Sequence, residues 1–111
     1  FIFDYEDGLT VIDLERMRFA DPVYDLGFLA SELRHHFAWR TLKADAAEPF
    51  ITHFFRVYSV QFQDPGLVFD KITHRNRFYM ALGELRIARN SWLSPGHRKW
   101  LVDEALSCLR L

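Results

Sequence analysis

Apolar residues recur with a helical period over most of this chain and alternate, weakly, only at its start. Residues 1–5 are β-prone, and residues 9–14 are β-prone again. Asp7-Gly8 lies between them, which predicts a hairpin closed by a type I′ turn, both central residues having φ > 0. Residues 15–19 have no period and read as loop. Asp21-Pro22 reads as a helix entry, Asp as N-cap and Pro at the first helical position. Leu26, Leu29, Ala30, Leu33 and Phe37 then recur at helical spacing, so the first helix spans about residues 22–39. Gly27 inside it costs about 1 kcal/mol against Ala, and a close contact on that face would explain its presence. A second helix is predicted over residues 44–62, where Phe50, Ile51, Phe54, Phe55, Tyr58 and Phe62 form a wide apolar stripe and Pro49 marks a start. Asp64-Pro65-Gly66 reads as a turn. A third, long helix follows over residues 67–92, with Phe69, Ile72, Tyr79, Leu82, Leu85 and Ala88 drifting around one side. Ser94-Pro95 opens a fourth, with Trp100, Leu101, Ala105, Cys108 and Leu109 on its apolar face. The predicted fold class is mainly α: an N-terminal hairpin followed by four helices.

Composition adds bounds. The 111 residues suffice for one small domain, and 50% hydrophobic content with 11 Phe and 3 Trp supplies a core and argues against disorder. Fourteen basic residues against fifteen acidic ones leave a net charge of -1. That balance offers no field to gather nucleic acid or an anionic membrane. No apolar run approaches the roughly 20 residues of a membrane span. The single cysteine, Cys108, makes no internal disulfide and points to a reducing, cytoplasmic compartment. The chain starts Phe1-Ile2-Phe3, without Met or signal-peptide pattern, as though inside a strand. It is therefore expected to be a piece of a longer protein; a mature N-terminus after processing is the alternative.

The densest placement of acids among apolar residues is the stretch 9–27. Asp13 ends an apolar run, where a carboxylate beside a loop suits Mg²⁺, which takes one or two protein carboxylates together with phosphate oxygens. A turn-capping Asp is the plainer explanation from spacing alone. Asp25 lies in a helix first turn, where the helix dipole favours an acid by about 0.3–1 kcal/mol, and Asp21 is accounted for as a cap.

Val11-Ile12-Asp13-Leu14-Glu15 followed by Asp21-Pro22-Val23-Tyr24-Asp25-Leu26-Gly27 resembles the aminoglycoside phosphotransferase and choline kinase family of the protein-kinase-like fold. There a hairpin carries an Ile-Asp-apolar-Glu segment, and after a short loop comes Gly-Asp-Pro-x-Tyr-Asp-Leu-Ala. Here Ala20 stands for the Gly and Gly27 for the final Ala. The likeness covers about 17 residues, and the helical remainder carries no matching motif. The resemblance implies that Asp13 is the metal-binding acid, holding Mg²⁺ on the phosphates of ATP or GTP. It implies that Glu15 is a further acid near the metal, that Asp25 is a buried acceptor steadying the catalytic loop, and that Asp21 and Pro22 shape the helix entry. The partners implied are the nucleotide and a small-molecule hydroxyl acceptor. The family's catalytic loop, His-Gly-Asp with an Asn five residues later, and its nucleotide-binding lobe are expected upstream of Phe1. This C-terminal portion alone is then expected to be inactive.

Other candidates are weaker. His35 and His36 are adjacent on a helix and point about 100° apart, so they do not chelate together; His53, His74 and His97 are scattered. Lys71, His74, Arg75, Arg77, Arg86 and Arg89 read as a solvated basic face, from which Arg75 or Arg86 could meet an anionic acceptor. The Phe stripe reads as core. Two functions follow: part of an ATP-dependent small-molecule kinase, or a non-catalytic kinase-like pseudoenzyme or helical interaction module.

Overall fold

In the computed structural model, which describes residues 1–110, the chain opens with two short antiparallel strands, β1 (Ile2–Phe3) and β2 (Leu9–Thr10). Ile2 pairs with Thr10 and Phe3 with Leu9. The hairpin is present, but its turn is not type I′. Five residues separate the strands and, of the Asp7-Gly8 pair, only Asp7 takes a positive φ, of 59°. Asp4 organises the turn instead. Its Oδ1 accepts from the backbone N–H of Glu6 (2.9 Å) and of Gly8 (2.7 Å), and its own N–H donates to the Gly8 carbonyl (3.0 Å). A Cβ at Gly8 would overlap that carboxylate, so a larger residue there would displace the side chain that organises the turn.

A 3-10 turn, Leu14–Arg16, interrupts the expected loop, and the first helix, α1 (Val23–Thr41), follows. Asp21 Oδ1 accepts from the Val23 N–H at 3.0 Å, as an N-terminal cap should. At the other end Leu42 takes a left-handed φ of 60° and its N–H closes on the Ala38 carbonyl. The predicted second helix divides into a 3-10 turn, Ala44–Ala47, and α2 (Glu48–Ser59), with Pro49 in the first turn where its missing N–H costs nothing. α3 (Pro65–Ala88) starts two residues earlier than predicted, because Asp64 Oδ1 caps the Leu67 N–H (3.1 Å), and ends four residues earlier. The Arg98 guanidinium donates to the Ala88 carbonyl at 2.8 Å, satisfying an end group that would otherwise be orphaned. α4 (Pro95–Leu109) begins as read, with Ser94 Oγ accepting from the His97 N–H.

α3 is the central helix, packed on α1, α2 and α4. The main core gathers Val23, Leu26 and Ala30 of α1, Ala47, Ile51 and Phe55, and Ile72 of α3. A smaller cluster of Ile87, Ala88, Leu93 and Leu101 joins α3 to α4. The Phe stripe is only half core. Ile51 and Phe55 are buried, while Phe50 and Phe62 stay largely in solvent. α3 buries only part of the side its apolar residues suggested: Ile72 and Ala88 are buried, and Phe69 and Tyr79 pack on the core. Leu82 and Leu85 are exposed, and Asn76, Gly83 and Glu84 are buried, because the helix is enclosed by neighbours on more than one side. The contact anticipated at Gly27 exists. A Cβ there would overlap Tyr79 Cβ and stand 3.1 Å from the Met80 nitrogen; one at Gly83 would overlap Ser31. The two glycines let α1 and α3 cross closely.

Candidate functional site

The acid-bearing stretch runs from β2 into α1. Asp13 follows the strand and takes a left-handed conformation, φ 60° and ψ 47°, immediately before the 3-10 turn. Asp and Asn tolerate this region better than most residues, because a short polar side chain can hydrogen-bond locally. Asp13 makes no such bond to the turn it precedes. Its carboxylate is exposed, as is that of Glu15 one residue into the turn. β2 stops at Thr10, short of the β-prone run of residues 9–14, so the turn presents two solvent-facing carboxylates three and five residues past the strand.

Asp25 is exposed in the first turn of α1, so the burial implied for it is not supplied within these residues. It borders a cavity of about 610 Å³ between the hairpin side and the helices, with walls from Val11, Leu14, Tyr24, Phe28, Glu32 and Arg86 among others. Val11 and Leu14 flank Asp13 in the chain. Desolvation at this wall raises the Glu32 carboxyl above its ordinary range, and the charge of Arg86 opposes the rise. Arg86 lies over the Phe28 ring at 5.4 Å.

Asp21 does more than shape the helix entry. While Oδ1 caps α1, Oδ2 accepts from Arg75 Nη1 (3.1 Å) and the Tyr79 hydroxyl (3.2 Å), both on α3. Burial, and then the bond to Asp21, raise the Tyr79 phenol above its usual range. Arg75 is accordingly committed to an ion pair. Arg77 is also committed, donating to the carbonyls of Cys108 and Arg110. Lys71, His74, Arg75, Arg77, Arg86 and Arg89 are all exposed, as a solvated basic face requires, but Arg75 and Arg77 are tied to partners.

Among the described residues no three or more His, Cys, Asp or Glu side chains are gathered to hold a metal. Asp13 and Glu15 are exposed carboxylates of the hard-oxygen type that Mg²⁺ takes. They suit an open site completed by water and phosphate oxygens, not an all-protein cage.

Compared with known proteins, the chain matches no family model, no curated protein and no solved structure. Among the described residues no helix is long and apolar enough to cross a membrane.

Two constellations escaped the sequence reading. One is a buried ionic network centred on Arg34, which is 8% exposed, and Glu84, which is 0% exposed. Arg34 donates to Glu48 and Glu104, reaches Asp45 at 3.4 Å, and faces Glu84 Oε1 from Nε at 3.7 Å. That last pair attracts but is too long for a hydrogen bond, leaving both atoms without one. Burial pushes Glu84 up to about 7 despite the Arg34 charge, and pushes Cys108, whose Sγ lies 3.8 Å from Glu84 Oε2, up to about 11. The signal was present: Arg34 is four residues from Ala30, and Glu84 four from Ala88, so opposite charges lie on two buried helix faces.

The second is an aromatic cluster at the junction of α1 and α4. His35 Nδ1 lies 2.9 Å from His97 Nε2, so two histidines scattered in the sequence meet. Trp39 packs against Trp92 (ring centroids 5.9 Å) and His97 (5.1 Å), and Trp100 against His97 (5.3 Å). A cavity of about 450 Å³ opens there, lined by Trp39, Leu42, His97 and Trp100. Burial, reinforced by a neighbouring histidine in each case, lowers the pKa of both His35 and His97.

Proposed function

We propose that this chain is the helical, C-terminal portion of an ATP- or GTP-dependent phosphotransferase that moves a γ-phosphoryl group to a hydroxyl of a small molecule. The observation that carries the reading is the acid pattern of residues 11–27, joined to the exposed carboxylate of Asp13 in a left-handed turn three residues past β2. Mg²⁺ held there would neutralise charge on the nucleotide phosphates. In this reading Asp13 is the metal ligand, with Glu15 beside it. Asp21 locks the α1 entry to α3. Asp25 is left exposed for a neighbouring loop. No His-Gly-Asp motif occurs in the 111 residues, so the base is assigned to sequence outside them.

Calorimetry of Mg²⁺–ATP and Mg²⁺–GTP binding to the full-length protein tests this. Asn keeps the local tolerance for a left-handed backbone while removing the charge, so Asp13→Asn isolates the metal role. Binding by the parent that collapses in Asp13→Asn is the expected result. Equal binding by both, or none by either, overturns it. The hairpin's exposed apolar surface, with Phe3 76% exposed, would then favour the second reading, a non-catalytic interaction module.

A further inference from the structure

The two imidazoles at the α1–α4 junction hold a pair of nitrogen donors that the phosphotransferase reading does not use. His35 Nδ1 and His97 Nε2 are 2.9 Å apart, their ring centroids 5.0 Å apart. Two metal–nitrogen bonds of about 2.0–2.1 Å meeting at a right angle span about 2.9 Å, the separation of cis donors in a tetragonal site. Both rings are partly exposed, and His97 also lines the open cavity with Trp39 and Trp100, so an ion and its waters have a way in.

We propose that His35 and His97 form a two-histidine site for a borderline divalent transition ion, Cu²⁺ or Ni²⁺ in preference to Zn²⁺, with water in the remaining positions. In the absence of metal one ring donates its N–H to the other. Metal binding requires both facing lone pairs, so the donor ring moves that proton to its other nitrogen. This is a change of tautomer, with no proton lost and no redox step. The short Nδ1–Nε2 contact requires an unprotonated acceptor nitrogen on one ring, the form that a metal ligand needs. His97 also sits in the first turn of α4, at the positive end of its dipole. A hard cation such as Mg²⁺, held mainly by charge, is disfavoured there, whereas one bound through nitrogen covalency is tolerated. The cavity lining brings no carboxylate to a hard ion, and its one hydroxyl, Ser94 Oγ, already accepts from the His97 N–H. The site is separate from Asp13 and does not depend on the proposed phosphotransfer.

The chain's own tryptophans report on the site, because Trp39 and Trp100 both touch His97. Cu²⁺ is titrated into the full-length protein, free of any histidine tag, while indole fluorescence is followed. The unmodified protein is also examined by electron paramagnetic resonance at one equivalent. Saturable quenching at one ion per chain, with splitting from two nitrogens in the resonance spectrum, is expected. His35→Gln and His97→Gln should each weaken binding at least about tenfold, a loss at least as large as that for a group merely supporting a ligand. His53→Gln, His74→Gln and Asp13→Asn should leave it unchanged, and Mg²⁺ should not compete. Non-saturable quenching, a spectrum without two nitrogen ligands, or undiminished affinity in both His35→Gln and His97→Gln overturns the site. The spectrum of the unmodified protein decides the matter even if a variant fails to fold.

Discussion

Gly27 shows how one missing Cβ can set a helix crossing. In isolation it weakens α1, and replacing it with Ala should help by helix propensity, by about 1 kcal/mol. The Tyr79 Cβ occupies the space that the new methyl needs, and the Met80 backbone stands behind it. Neither is the far end of a flexible side chain, so the helices must separate. Overpacking of this kind costs typically about 1–3 kcal/mol. Gly27→Ala is therefore expected to be net destabilising, with a lower urea midpoint. A midpoint raised by the substitution would show that α1 and α3 do not cross this closely.

At the scale of the element, the entry of α1 is held by a single carboxylate used twice. Asp21 Oδ1 satisfies an orphan N–H of the first turn, and Oδ2 ties the helix start to Arg75 and Tyr79 of α3. Removing a cap costs about 1 kcal/mol, and a half-exposed ion pair adds less than about 1 kcal/mol. Asp21→Ala should thus lose about 1–2 kcal/mol in chemical denaturation. Asp21→Asn, which can still cap, should lose less than half of that. An equal loss in both variants would mean that the tie to α3, not the cap, holds the entry. The starts of α1 and α4 were readable for the same reason that they are stable. Asp21-Pro22 and Ser94-Pro95 each supply an acceptor followed by a residue without an N–H, a signal confined to neighbouring residues; Asp64-Pro65 carries the same signal at the start of α3 but reads, with Gly66, as a turn. The early end of α3 was not readable, because its last carbonyl is satisfied by Arg98, ten residues away across the connection to α4.

Across the whole molecule, Arg34 ties the four α-helices together: it sits on α1 and pairs with acids before and within α2, on α3 and on α4. Burying it is tolerable only because it is multiply paired, and cutting it back should leave Glu84 buried without a countercharge. The pH dependence follows from Glu84. Its folded pKa of about 7 lies above the ordinary 4.5. Below about pH 4.5 both folded and unfolded states hold the proton, and Glu84 contributes no slope. Between about 4.5 and 7 the folded state keeps a proton that the unfolded chain has released, so its contribution to stability falls as pH rises. The accumulated loss at neutral pH is on the order of 3 kcal/mol. Glu84→Gln, which mimics the neutral acid, should gain stability relative to the parent as pH rises from 5 to 8. Difference denaturation curves across that range check this, and a constant offset would remove Glu84 as the titrating group. The lowered His35 and His97 act in the opposite sense, weakening the fold as pH falls below about 6.5, but they cancel in the difference between parent and variant.

Helical period, cap-and-proline pairs and the isolated β-prone start were enough for the sequence by itself to determine a hairpin followed by four helices, since each is a relation among residues a few positions apart. It likewise determined the order of acids from Asp13 to Asp25 on which the proposed chemistry rests. Tertiary structure alone decided which faces are enclosed. Only packing on α1, α2 and α4 explains why Glu84 is buried while Leu82 and Leu85 are not. Only the crossing of helices brings His35 to His97 and gathers acids from four segments around Arg34. Such partners lie up to 70 positions apart in the chain. Local periodicity states which side of a helix is apolar, but the meeting of two charged or aromatic side chains depends on interhelical distance and register, which are set by where small residues such as Gly27 and Gly83 let the backbones approach.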